Sequence, residues 1–186
     1  VGDADALVPG LTADYPKTIS PALQIIGVAD GVSRVAGMYI IINKKGPYFF
    51  SDTTVNLDPN AQELAQIIEL TARGVRFFDI EPRIAVLSYS NFGSSKGEVP
   101  EKTREAVRIA RAKNPNLVVE GEIQANVALS TEIQQETYPF SALAQEAANT
   151  LIFPNLASGN IAYKLLMEIG SAEAIGPILL GMKKPV

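Results

Sequence analysis

Residues 88–97 read SYSNFGSSKG, four serines, two glycines, one asparagine and one lysine within ten positions. They follow the apolar run Ile84-Ala85-Val86-Leu87 and precede a helical pattern. Small residues let a backbone come close to a ligand. Ser90, Asn91, Ser94 and Ser95 add hydroxyl and amide donors beside Gly93, and Lys96 adds a cation. Such a set suits a phosphate or a carboxylate. The loop lacks the GxxxxGK[ST] spacing of a Walker loop. Taken alone, the same residues also make an ordinary polar turn.

Two further loops have the same character. Residues 154–160, PNLASGN, bring Asn155, Ser158, Gly159 and Asn160 together between an apolar strand and a helix, and residues 181–185, GMKKP, place Lys184 after the last strand pattern. In open α/β sheets ligands settle outside the carboxyl ends of strands, so three loops of this kind point to one ligand-binding edge. The acids are less telling. Asp3, Asp5, Asp14, Asp30, Asp52, Asp58 and Asp79 are dispersed, and several fall where turns and caps use Asp. Glu120 and Glu122 flank Gly121 at a strand end, placed either to approach one ligand or to stand as surface carboxylates. No metal-ligand spacing appears, and no residue is assigned a catalytic role. Histidine and cysteine are absent from the 186 residues, so a Ser-His-Asp triad, a thiolate nucleophile and a disulfide cannot be built within this chain.

The elements that must position these loops alternate between strand and helix. Residues 34–45 and 47–52 read as two strands joined at Lys44-Lys45-Gly46-Pro47, a hairpin. In the segment that follows, Asp58 precedes Pro59 at the first helical position, and Leu64, Ile67, Ile68 and Thr71 follow at helical spacing. Strands are expected at 83–88, 116–122, 150–154 and 174–180, with helices at 100–113, 129–138 and 158–169. On the helix at 100–113, Arg104, Arg108 and Arg111 read as a solvated face partnered by Glu101 and Glu105. This order predicts a layered α/β/α fold with a mainly parallel sheet plus an antiparallel hairpin.

Composition narrows the class. Hydrophobic residues make up 47% and charged residues 19%, an ordinary globular balance. The net charge of −4 is spread without a basic stripe, which argues against nucleic acid as a partner. No apolar run is long enough to span a bilayer and the first residues lack a basic signal-peptide start, so no membrane partner is expected and a cytoplasmic location is the default.

With these loops in hand the sequence resembles the phosphate acetyl/butyryltransferase family. GDADALVPG, SYSNFGSSKG, GEIQANVAL, IFPNLASGNIAYKLL and IGPILLGMKKPV match its motifs in order. PGLTADYPKTISPALQIIG and GPYFFSDTTVNLDP resemble most the C-terminal phosphotransacetylase-like region of large NADP-dependent malic enzymes. The resemblance implies an isocitrate/isopropylmalate dehydrogenase-like subdomain. It also implies that residues 1–186 are a partial domain, the second subdomain plus edges, of a longer polypeptide. It extends the ligand set to Tyr15 and Lys17, beside Ser90, Asn91, Gly93, Ser94, Ser95, Lys96, Asn155, Ser158, Gly159, Asn160 and Lys184, as contacts for acyl-CoA or phosphate. The Ser-Arg pair and acid of active transferases would follow the KPV motif, and Asn126 stands where active members commonly carry Asp. The resemblance therefore implies a regulatory acetyl-CoA-binding and oligomerisation module of a malic enzyme, a homo-oligomer with acetyl-CoA or CoA as effector. It needs no cofactor in this chain, NADP and a divalent metal belonging to the malic-enzyme core. The alternatives are part of an active phosphate acetyltransferase and a purely structural dimerisation domain.

Overall fold

The computed structural model describes residues 5–9 and 15–186. A hairpin of β1 (Ala36–Asn43) and β2 (Gly46–Ser51) turns at Lys44 and Lys45, where the Asn43 side chain accepts the Lys45 N–H at 2.7 Å. The chain continues through α2 (Ala61–Arg76), β3 (Arg83–Leu87), α3 (Glu98–Lys113), β4 (Val118–Ile123) and the short helices α4 (Ala125–Ala128) and α5 (Thr131–Thr137). It closes with β5 (Thr150–Ile152), α6 (Leu156–Gly170) and β6 (Glu173–Leu180), while α1 (Tyr15–Ile25) precedes the hairpin.

The six strands form one sheet in the order β4-β3-β5-β2-β1-β6. Strands β2, β5, β3 and β4 are parallel, and β1 pairs antiparallel with both β2 and β6. Only β1 runs against the rest, so the carboxyl ends of the other five share one edge. The expected parallel sheet with an antiparallel hairpin is present, and β6 adds a second antiparallel pairing at the sheet margin.

Two apolar layers hold the sheet. Met38, Phe49, Ile84, Val86 and Ile152 face one way and pack under α2 and α3, whereas Ile41, Phe50, Ala85, Leu87 and Leu151 face the other, toward α4 and α6. That alternation is the period of two that a strand covered on both faces requires. Helix α2 contributes Leu64, Ile67, Ile68 and Val75, none with measurable exposure, each stabilising by roughly 1.5–3 kcal/mol.

Helix starts differ from the sequence reading for a local reason. Helix α2 begins at Ala61 rather than Pro59, because Asn60 caps it: its side chain accepts the Glu63 N–H at 3.0 Å and Glu63 returns a bond to the Asn60 N–H at 2.8 Å. Helix α6 starts at Leu156, two residues before the expected Ser158, because Asn155 is its cap. Helix α1 was absent from the sequence reading, since Pro21 lies inside it and breaks the expected pattern.

Candidate functional site

Strand β3 ends in the serine-rich loop, β5 in the Asn155 cap, β2 in residues 52–57 and β4 at Gln124, all on the carboxyl edge. The loops after β3 and β5 are neighbours. The lysine-bearing segment after β6 shares the edge but lies three strand spacings beyond β5, about 14 Å away.

The serine-rich loop satisfies its own backbone. The Gly93 N–H reaches Glu122 Oε1 at 2.7 Å, Phe92 N–H the Glu122 carbonyl at 2.9 Å, and Ser95 N–H the Ser90 hydroxyl at 2.9 Å. Asn91 N–H donates to Ser94 Oγ at 2.9 Å and Ser94 N–H to the Asn91 carbonyl at 2.9 Å. Asn91 Oδ1 accepts the Gln124 N–H at 2.7 Å, tying the loop to the end of β4. Ser90 and Asn91 are thus buried framework residues. Beyond Ser95, the N–H groups of Lys96, Gly97, Glu98 and Val99 have no partner among the described residues. Ser94 and Lys96 are exposed, and the Ser95 hydroxyl and the Lys96 ammonium are uncommitted among the described residues. Glu98 and Glu101 occupy the first turn of α3 and blunt its attraction for an anion.

Under the loop lies Glu122, fully buried, which also accepts Ser90 Oγ at 2.9 Å and a bidentate pair of bonds from Arg104 at 2.9 Å each. Burial pushes the Glu122 carboxyl up, but the bonds from Arg104, Gly93 and Ser90 outweigh it and hold the group below the usual carboxylate range. The expected solvated arginine face is therefore corrected in two of its three members. Arg104 pairs with Glu122, and Arg111 pairs with Glu120 at 2.7 Å; only Arg108 keeps the expected helical partner, Glu105, at 2.6 Å. The cause is the chain reversal between α3 and β4, which sets residue 111 against 120 and residue 104 against 122. Both glutamates are buried on β4, and Glu120 also accepts the Ala142 N–H at 2.9 Å.

The second loop is occupied with folding. Asn155 Oδ1 accepts the Ser158 N–H at 3.0 Å, the Ser158 hydroxyl donates to the Asn155 carbonyl at 2.9 Å, and Asn160 Nδ2 donates to the Thr53 carbonyl at 3.4 Å. Gly159 permits contact of α6 with the loop after β2, where a Cβ would stand 2.7 Å from the Asp52 carbonyl oxygen. Asp52, which sequence reasoning placed among the dispersed acids, is 2% exposed and accepts the N–H groups of Gly37, Thr54, Val55 and Asn56 and the Asn56 amide. Its carboxylate organises the turn after β2.

Lys184 is exposed and makes no ion pair among the described residues, while Lys183 lies 3.6 Å from Asp30. Lys17 is exposed on α1; Tyr15 opens that helix, and its side chain lies outside the described residues. Among the described residues no cluster of acids is placed to hold a metal ion, and no helix is long and apolar enough to cross a membrane.

The family described as phosphate acetyl/butaryl transferase matches residues 1–186. The chain is 40% identical to a phosphate acetyltransferase of Bacillus subtilis, over all of this chain and 57% of that protein. It is 41% identical to an NADP-dependent malic enzyme of Haemophilus influenzae, over 99% of this chain and 24% of that protein. A phosphotransacetylase structure from Streptococcus pyogenes superposes with a TM-score of 0.91 at 44% identity, covering 98% of this chain and 56% of the other. The chain thus spans little more than half of the transacetylases and about a quarter of the malic enzyme.

Proposed function

This chain belongs to the phosphate acetyl/butaryl transferase family, and on that premise we propose that it is an acyl-CoA-binding, regulatory part of a phosphotransacetylase-like domain. Its ligand is acetyl-CoA or CoA, its setting a cytoplasmic NADP-dependent malic enzyme that assembles as a homo-oligomer. NADP and the divalent metal are held by the malic-enzyme core, outside this chain. The loop after β3 takes the ligand's phosphate or acyl end through Ser95 and Lys96, with Lys184 and Lys17 reaching its further phosphates.

The observation that carries the reading is the state of the carboxylates at the edge. Asp52 is saturated by N–H donors and Glu122 by Arg104, Ser90 and Gly93, so neither is free to take a proton from a thiol. What remains outward is the Ser95 hydroxyl and the Lys96 and Lys184 ammonium groups, which bind. Binding regulates when the ligand prefers one of two conformations of the parent.

A second reading, that the complete domain transfers acetyl groups between phosphate and CoA, draws on the Bacillus subtilis and Streptococcus pyogenes relatives. One set of measurements on the full-length protein separates the two. Calorimetric titration with acetyl-CoA gives saturable binding under either, and replacing Ser94, Ser95 and Lys96 together by alanine weakens it about 10- to 100-fold, the value of one or two charge-assisted bonds. Malate oxidation that responds to acetyl-CoA, with no acetyl phosphate formed from acetyl-CoA and phosphate, supports regulation. The reverse pattern supports the transferase, and absence of heat at millimolar ligand removes both.

A further inference from the structure

On the acyl-CoA reading above, the loop after β3 must be held in one shape to present Ser95 and Lys96. Residues 88–97 contain no strand or helix; Ser88, Tyr89, Asn91 and Phe92 are tied to residues 122–124 by backbone and amide bonds and the Phe92 ring packs on Tyr138 and Phe140, whereas the N–H groups of Gly93 and Ser95 are met by side chains, Glu122 and Ser90. Gly93 N–H and Ser90 Oγ both end on Glu122 Oε1, and Ser90 Oγ in turn accepts the Ser95 N–H and lies 3.2 Å from Ser94 Oγ. One carboxylate oxygen therefore fixes the loop at residue 93 directly and at residues 94 and 95 through Ser90. Among the described residues the other oxygen, Oε2, meets only Arg104 Nε, while Arg104 Nη2 shares Oε1 at 2.9 Å.

We propose that Glu122 is the positioning residue of the acyl-CoA loop: Oε1 holds Ser90 and Gly93 so that Ser95 and Lys96 stand outward, and Arg104 is the counter-ion that lets a carboxylate remain buried there. The role needs the acceptor more than the charge. A glutamine at 122 keeps an oxygen at the Oε1 position if its amide nitrogen takes the Oε2 position; that nitrogen cannot accept the Arg104 Nε–H, so Arg104, half-exposed, turns to solvent while the bonds to Ser90 and Gly93 hold the loop. A methionine of similar length removes both acceptors and strands the Gly93 N–H and the Ser90 hydroxyl.

The test compares the full-length protein with Glu122→Gln and Glu122→Met. Deuterium exchange of the segment 88–97 is read against that of the buried strand β3, alongside calorimetric titration with acetyl-CoA. Glu122→Met accelerates exchange in 88–97 about tenfold or more while β3 stays protected, and weakens acetyl-CoA by a similar factor; Glu122→Gln stays within about threefold of the parent in both. Should Glu122→Met fail to fold, Ser90→Ala removes the acceptor of the Ser95 N–H while leaving the Glu122–Arg104 pair intact, and is expected to release 94–96 and weaken the ligand. An unchanged loop in Glu122→Met or in Ser90→Ala overturns the proposal, as does a Glu122→Gln protein as impaired as Glu122→Met. If the parent shows no acetyl-CoA binding, the functional reading fails, and the exchange contrast still decides the role of Glu122.

Discussion

Replacing Arg104 by methionine retains most of the aliphatic stem on α3 and removes the cation that faces Glu122. Glu122 would then be a fully buried carboxylate with two donors left, Ser90 Oγ and Gly93 N–H. Removing one partner of a buried pair costs about 3–5 kcal/mol. The Arg104 side chain is 48% exposed, so water replaces part of what it supplied, and the expected loss is about 2–3 kcal/mol at pH 7. In a chain of 186 residues that lowers the melting temperature by about 5–10 °C. The sign with pH is also fixed. In the parent, Glu122 titrates below the unfolded carboxyl value of about 4.3, so the pair stabilises fully above that value and its contribution is lost as pH falls through the lower folded one. In the variant, burial dominates and the folded carboxyl titrates above the unfolded value. The variant is therefore relieved by protonation on acidification, and the gap between the two proteins narrows from pH 7 to pH 4. Paired urea or thermal unfolding at pH 7, 5 and 4 measures it. A gap below about 1 kcal/mol at pH 7, or one that does not change with pH, refutes the reasoning.

Two backbone positions give independent checks on the frame around the site. Gly121 has φ +147° and a Cβ there would lie 2.6 Å from the Val86 carbonyl oxygen, so Gly121→Ala is expected to cost about 2–4 kcal/mol in urea unfolding and to loosen the β3–β4 pairing under the loop. Ser171 closes α6 in the left-handed region at φ +50°, so Ser171→Gly is expected to raise stability by about 0.5–1 kcal/mol with acetyl-CoA affinity unchanged.

The sheet was legible because β1, β3 and β5 are continuous apolar runs and α2 and α3 carry a single apolar stripe. Leu64, Ile67 and Ile68 face the core as their spacing requires, and Lys44-Lys45 make the turn. Legibility ended where a long-range partner decides a local role. Arg104 and Arg111 have Glu101 and Glu105 within helical reach, and sequence spacing cannot weigh those against glutamates that arrive only once β4 runs back beneath α3. The same holds for Ser90, which reads as a ligand-facing hydroxyl until Glu122 is placed under it. Gly159 gives room to the chain after β2, a contact that spacing does not carry.

These reassignments bear on what the edge does. A ligand carrying phosphates is repelled by free carboxylates, and the acids deepest at this edge, Asp52 and Glu122, are each compensated by donors within the fold. Asn126 stands exposed on α4, two residues beyond Gln124, whose side chain donates to the Tyr89 carbonyl at 2.7 Å, and so lies beside the serine-rich loop. An aspartate there would add a negative charge near the loop, useful to a reaction that must accept a proton and unfavourable to the simple retention of an anion. An amide keeps the hydrogen-bonding capacity and drops the charge.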